Sequence, residues 1–316
     1  MEISLPGLSQ FKEAAARISP LVHRTPLITC TSINTICKAA LFFKCENLQK
    51  VGAFKARGAV NAVFSLPEEV ACMGVATHSS GNHAAALAYA ARCRGIKAYV
   101  VMPENAPAVK KTAVASYGAE IVFCEPTLKA REETIDKIVR QTGSTFIHPY
   151  NDYRVIAGQG TAALELLNQV ENLDAIIAPV GGGGLLSGTA LAVRLSAGAD
   201  RVYGAEPAGA DDAYRSLKEN RIVPMENPNT IADGLRTSLG TLTFPIIKKN
   251  VNAIITVSDD SIIEAMRLIW ERAKLVVEPS GAVPLAALLE KRSSIEGDRI
   301  GLILSGGNVD LKRLPF

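Results

Sequence analysis

Two kinds of pattern alternate along this chain. Short runs that are apolar throughout read as strands buried on both faces. Longer stretches, with apolar residues recurring at three or four positions, read as helices. The pattern predicts strands over 41–45, 74–77, 97–102, 120–124, 174–180, 201–206, 254–257 and 300–304. It predicts helices over 55–65, 82–94, 108–117, 131–141, 186–195, 259–273 and 282–291, the sixth headed by Asp259 and rich in first-turn acids. Such alternation implies an α/β fold of mostly parallel, twisted sheets covered by helices. The block 74–150 holds compact strand–helix units, so it is expected to form a smaller α/β domain. It would be inserted into a larger domain of 1–73 and 151–316. Ligands of such folds gather at the carboxyl ends of strands.

One strand end stands out. Gly181, Gly182, Gly183 and Gly184, then Leu185, follow the apolar run 174–180 and lead into a helical stretch. Each glycine raises the backbone entropy lost on folding, so four together are a costly connection. They suit a strand-to-helix turn whose bare N–H groups close around an anion, with the helix dipole adding favourable charge. The alternative is a tight turn that binds nothing. The dinucleotide pattern G-x-G-x-x-G fails in every register here, and no G-x-x-x-x-G-K-[ST] occurs in the chain. A phosphate is expected without the usual nucleotide signatures.

Composition narrows the choice. A net charge of +3, with Lys/Arg pairs scattered and no interleaved aromatics, argues against a nucleic-acid groove. At 316 residues and 48% hydrophobic content, the chain can bury a large core in one or two domains. Its six cysteines form no C-x-x-C pair and read as reduced, mostly buried small hydrophobes. Residues 1–6 lack a basic region followed by an apolar stretch, and no apolar run reaches membrane length. A soluble cytoplasmic protein is expected.

Four further loops and turns carry candidate chemistry. Lys55, beside Phe54, opens a helix after Gly52; in a partly dry pocket such an amine can lose its proton and attack a carbonyl. A lysine at a helix start is more commonly solvated surface. His78, Ser79, Ser80, Gly81, Asn82 and His83 concentrate polar groups at a helix N-terminus, which suits a carboxylate. One serine would suffice for ordinary capping. Glu206 and Asp212, with the Ala210 carbonyl between them, are hard oxygen donors of the kind magnesium and calcium take. Acidic turns without metal are also common. Ser305, Gly306, Gly307 and Asn308 form another strand-end turn.

The ordered set 54–58, 79–83, 181–184 and 305–308 resembles the type II (tryptophan-synthase-β-like) pyridoxal phosphate enzymes. Within them it resembles the serine racemase and serine/threonine dehydratase branch. The likeness runs over nearly the whole chain, and 83–86 and 148–152 look like plant-type serine racemases. The resemblance implies that Lys55 holds pyridoxal 5'-phosphate, that Phe54 lies near the ring, and that Asn82 binds its phenolic oxygen. It places the phosphate on Gly181 to Gly184 and the Leu185 amide, and Ser305 opposite the pyridine nitrogen. A serine there does not enforce a pyridinium, which restrains transamination and favours proton transfer and β-elimination.

The resemblance further implies a substrate carboxylate at Ser79 and His83, and a polar or acidic side chain near Arg131. A divalent cation (magnesium, with calcium or manganese as alternatives) would sit on Glu206, the Ala210 carbonyl and Asp212. Lys55 and Ser80 would act on opposite faces of the substrate α-carbon, a two-base arrangement that inverts it. The expected activity is serine racemisation with elimination to pyruvate and ammonia. The alternative is a threonine or threo-3-hydroxyaspartate dehydratase. A homodimer, a nucleotide effector and closure of 74–150 over the ligand are further expectations.

Overall fold

A computed structural model of the chain describes residues 5–79, 81–106, 108–196 and 198–316. Its strands are β1 (Leu27–Ile28), β2 (Ala40–Lys44), β3 (Val75–His78), β4 (Ala98–Pro103), β5 (Glu120–Cys124), β6 (Thr145–Phe146), β7 (Leu173–Pro179), β8 (Ala199–Pro207), β9 (Ala253–Val257) and β10 (Arg299–Ile303). They form two sheets, of order β1-β2-β10-β7-β8-β9 and β5-β4-β3-β6. Every pairing is parallel except that of β1 with β2. The apolar runs have the expected cause: all six residues of β4, and all but Asp174 in β7, are buried.

The helices are α1 (Leu8–Ile18), α2 (Thr31–Cys37), α3 (Lys55–Phe64), α4 (Glu68–Ala71), α5 (Asn82–Arg94), α6 (Ala108–Ser116), α7 (Leu128–Thr142), α8 (Tyr153–Gln169), α9 (Gly184–Ser196), α10 (Asp212–Glu219), α11 (Thr243–Asn250), α12 (Asp259–Leu268) and α13 (Pro279–Lys291). The stretch predicted as one helix over 259–273 is α12 followed by a π-turn, Ile269–Ala273, which ends at Lys274 in the left-handed region.

Helix α3 lies between the two sheets' helical layers. Its Ala56, Ala59, Val60 and Val63 share a core with Ala86, Leu87 and Ala90 of α5 and with Val155 of α8. Small alanines on α5 allow that close approach. Helices α8 and α9 meet even more closely, because a Cβ on Gly160 would stand 2.6 Å from the Gly188 carbonyl oxygen. This packing delivers the first turn of α3, with Lys55, into the space between the sheets.

The cysteines are all free, but only Cys37, Cys45 and Cys124 are buried, while Cys72 and Cys93 are exposed. These last two occupy helix-end positions facing solvent, so burial is less general than their residue type suggested. Among the described residues no helix is long and apolar enough to cross a membrane.

Candidate active site

A cavity of about 610 Å³ opens between the sheets. Phe54, Lys55, Ser79, Asn82, His83, Arg131, Gly181, Gly182, Gly183, Gly184, Leu185 and Ser305 all line it. Four of the predicted sequence segments therefore meet in one place. Ser80 lies outside the described residues; its neighbours Ser79 and Gly81 line the cavity.

Lys55 is placed by two stitched loops. The Phe54 amide donates to the Ser305 carbonyl (3.0 Å), the Gly307 amide to the Gly52 carbonyl (2.9 Å), and Ala53 bridges Gly306. The end of β10 and the start of α3 are thereby fixed together. Lys55 Nζ donates to the Pro149 carbonyl (2.9 Å) and lies 5.1 Å from the centre of the Phe54 ring. Burial lowers its pKa to about 8, so a useful fraction of the amine is unprotonated near neutrality.

The glycine turn follows β7 directly. Gly183 has φ +87°, which a side chain would strain, and a Cβ on Gly182 would stand 2.3 Å from the Tyr150 ring. Thr243 braces the turn: its Oγ1 donates to the Gly182 carbonyl and accepts from the Gly240 amide, each at 2.8 Å. Bare amides at the head of α9 leave a cradle for an anion.

Asn82, the first residue of α5, is oriented from two sides. Its Nδ2 donates to Glu278 Oε1 (2.9 Å), and its Oδ1 accepts from Asn308 Nδ2 (3.0 Å). Burial pushes the Glu278 carboxyl up to about 8. The N-cap of α5 is Gly81, and among the described residues no side chain caps the helix, so the hydroxyl of Ser79 is not consumed there. Its one described bond, accepted from the Gly81 amide, is long at 3.4 Å.

His83 is fully enclosed. Its Nε2 lies 3.2 Å from the Ile147 carbonyl, and Nδ1 has no partner among the described residues. Donation from Nε2 leaves Nδ1 an acceptor in the neutral ring. Burial, with the nearby Lys55 charge, holds the imidazole pKa well below its ordinary value. A carboxylate at Nδ1 would require a second ring proton, against that direction. Ser79 and the α5 amides face no such obstacle.

Several lining residues gave no site signal in the sequence. Tyr150 and His148 form one wall, their ring centres 4.5 Å apart. Burial lowers the His148 pKa to about 4, so this wall is neutral. Lys110 of α6 pairs with Asp233 across the mouth. Glu278-Pro279 marks a helix start with proline at its first position, a signal that locates Glu278 on the chain without assigning it to the site.

Glu206, Ala210 and Asp212 stand apart from the cavity lining, after β8. Glu206 and Asp212 are fully buried, and neither pairs with a cationic side chain among the described residues. Glu206 accepts from the Tyr214 and Ala213 amides (2.6 and 3.2 Å), and Asp212 Oδ2 from the Leu239 amide (3.1 Å). Asp212 Oδ1 is buried without a partner among the described residues. Burial pushes Asp212 up to about 7 and Glu206 well above its ordinary value. Two buried acids and an orphaned oxygen fit a bound cation. No group of three His, Cys, Asp or Glu converges among the described residues, so carbonyl and water would complete the shell.

A poised amine, an anion cradle and an enclosed cavity between parallel sheets define an enzyme that holds a phosphorylated carbonyl compound. The signature of the pyridoxal-phosphate dependent enzymes matches residues 18–306, and the chain belongs to that family. It is 52% identical to a serine racemase of Dictyostelium discoideum over 97% of this chain and 96% of that one. It is also 52% identical to a beta-hydroxyaspartate dehydratase of Paracoccus denitrificans, over 99% of both chains. The solved structure of maize serine racemase superposes with a TM-score of 0.96, at 47% identity, over 98% of this chain and 95% of that one.

Proposed function

We propose that this chain racemises serine and also eliminates water from it, using pyridoxal 5'-phosphate. The observation that carries the reading is Lys55, an amine with lowered pKa in an enclosed cavity facing both the glycine cradle and the Ser79–His83 segment. When bound, the cofactor supplies an electron sink for the pair released at the substrate α-carbon. Lys55 carries it, the amides of Gly181 to Leu185 hold its phosphate, and Phe54, Asn82 and Ser305 fix the ring. Lys55 Nζ, once free, moves the α-proton on one face, and Ser80 is assigned the opposite face from its sequence position. Ser79 and the head of α5 orient the substrate carboxylate. The neutral wall of His148 and Tyr150 helps to exclude water.

The second reading is a threo-3-hydroxyaspartate dehydratase. It is supported by the equal identity to that relative and by Arg131 and Arg236, cations lining the cavity that suit a second carboxylate. The unit 74–150 is read as the part that closes over the ligand, in keeping with its separate sheet and the Lys110–Asp233 pair at the mouth. A magnesium or similar ion on Glu206, Ala210 and Asp212 would be structural. A homodimer and cytoplasmic residence complete the reading.

The test is product analysis of the purified enzyme with L-serine, D-serine, L-threonine and threo-3-hydroxyaspartate. Chiral chromatography follows enantiomers, and a coupled assay follows keto acid. D-serine formed from L-serine, and lost in Ser80→Ala while elimination persists, supports the two-base racemase. Keto acid without any enantiomer refutes racemisation and leaves the dehydratase.

A further inference from the structure

Arg57 has the largest fully buried side chain among the described residues, two positions beyond Lys55, and takes no part in lining the cavity. Positions two apart on a helix point to nearly opposite sides. While Lys55 faces the cavity, Arg57 enters a charged cluster behind it, buried except at Glu165. Its Nε and Nη2 donate to the two oxygens of Glu46 (2.7 and 2.8 Å), and its Nη1 and Nη2 to the two oxygens of Glu165 (2.7 and 2.8 Å). One guanidinium thus makes two bidentate forks. Lys44 Nζ, 2.7 Å from Glu165 Oε2, is the fourth charge, so two cations balance two anions.

Stability alone is a poor account of such a cluster, because apolar residues of similar volume often stabilise a core as well or better. Its connections are more informative. Glu46 lies on the segment leading to Phe54, and Arg57 sits in the same turn of α3 as Lys55. Lys44 ends β2, and its carbonyl accepts from the Leu304 amide (3.0 Å) immediately before Ser305. Glu165 belongs to α8, which follows the segment whose Pro149 carbonyl holds Lys55 Nζ. Each charged group therefore fixes a stretch of backbone that ends at the cavity.

We infer that Arg57, forked onto Glu46 and Glu165, is a positioning residue for Lys55: it sets the register of α3 against β2 and α8, and so the place of the amine in the cavity. The inference rests on the reading of Lys55 as the cofactor-bearing lysine. Lysine at position 57 would keep the charge and lose the planar fork.

The experiment compares the cofactor-loaded wild type with Arg57→Lys and Glu165→Gln, the second changing a different helix with little change of shape. Borohydride reduction and peptide mass spectrometry locate the modified lysine. The visible cofactor band is titrated with pH, kcat and KM for L-serine are measured, and thermal melting is recorded. The expected result is an adduct on Lys55 and a band whose midpoint moves by roughly half a pH unit or more. With it, kcat falls by about tenfold to a hundredfold, while KM changes by less than about threefold. A lower melting temperature with an unmoved band and unchanged kcat would overturn the inference and leave Arg57 a purely structural residue. Failure of both variants to fold would overturn it equally, since the cluster would then serve the fold. An adduct on a different lysine in the wild type would overturn the reading of Lys55 itself, and the inference with it.

Discussion

Gly182→Ala tests the glycine cradle at its tightest point. The new Cβ would stand 2.3 Å from Tyr150 Cδ1 and 2.4 Å from Cγ and Cε1, whereas ordinary contact begins at 3.4 Å, so the ring must retreat by about 1 Å. It has little freedom to do so. The His148 ring stands edge-on to it at 4.5 Å, and the Tyr150 amide donates to His148 Nδ1 (3.3 Å). The other response is movement of the glycine turn, whose Gly182 carbonyl is held by Thr243. Overpacking of this kind costs about 1–3 kcal/mol. If the turn yields, that cost appears as cofactor affinity weakened roughly five- to 150-fold.

The assay is titration of cofactor-free protein with pyridoxal phosphate, followed by visible absorbance, with thermal melting beside it. Tyr150→Ala alone and combined with Gly182→Ala completes a double-mutant cycle. The argument expects the double variant to regain most of the affinity that the glycine substitution removes. Wild-type affinity in Gly182→Ala would refute the close-approach reasoning. So would a double variant no better than the single one.

Three other outcomes are expected. Because burial lowers Lys55 to about 8, the amine is uncharged above that pH and protonated below it. Capture of pyridoxal phosphate by the cofactor-free protein, followed by stopped-flow absorbance, should rise about tenfold per pH unit on the acid side and level off above; a rise continuing towards pH 10 would contradict the burial argument. Thr243→Val leaves the Gly182 carbonyl and the Gly240 amide unmet, a loss of about 1–3 kcal/mol, so cofactor affinity should fall roughly fivefold to 150-fold with the absorbance band in place. Unchanged binding would remove Thr243 as a brace. Magnesium at a hundredfold excess over its Kd should stabilise the wild type by about 2.7 kcal/mol in thermal melting; Asp212→Asn should show no such gain, and a retained gain would place the cation elsewhere.

How much was legible depended on whether a signal was local. Runs such as 174–180 carry their own burial and read directly as strands, and α5 appears with the predicted bounds because it begins and ends at glycines. Helix α8 gave no helical signal because Gly158 and Gly160 lower its propensity. The reason lies in its neighbours: a Cβ on Gly158 would meet the Arg57 carbonyl at 2.6 Å. Glu278, Thr243 and Tyr150 went unassigned for a related reason. Their significance comes from contacts with residues between 30 and 196 positions away, such as Asn82 for Glu278, and no spacing in the chain encodes those. The lining residues that were found each stand within a few residues of a strand end or a helix start, where sequence and geometry coincide.

The sheet order explains why these strand ends make one site. Strand β10 pairs with both β2 and β7, and β8 lies beyond β7. All four run parallel, so their carboxyl ends share one edge, with neighbours about 4.8 Å apart. Along that edge stand the segment to Lys55, then Ser305, then the glycine turn, then Glu206. An amine, a hydroxyl and a glycine turn are thus presented side by side along one edge, facing the same cavity. Glu206 comes one strand later, next to the glycine turn and outside the cavity lining. Asp212 connects it to the cradle from behind, since the Leu239 amide donates to Asp212 and Leu239 packs against Gly183. A cation held there would act on phosphate binding through residues 239–243. Its removal should therefore weaken cofactor affinity while leaving turnover of the fully loaded enzyme nearly unchanged. A turnover loss that saturating cofactor fails to restore would place the cation within the chemistry and break this account of the edge.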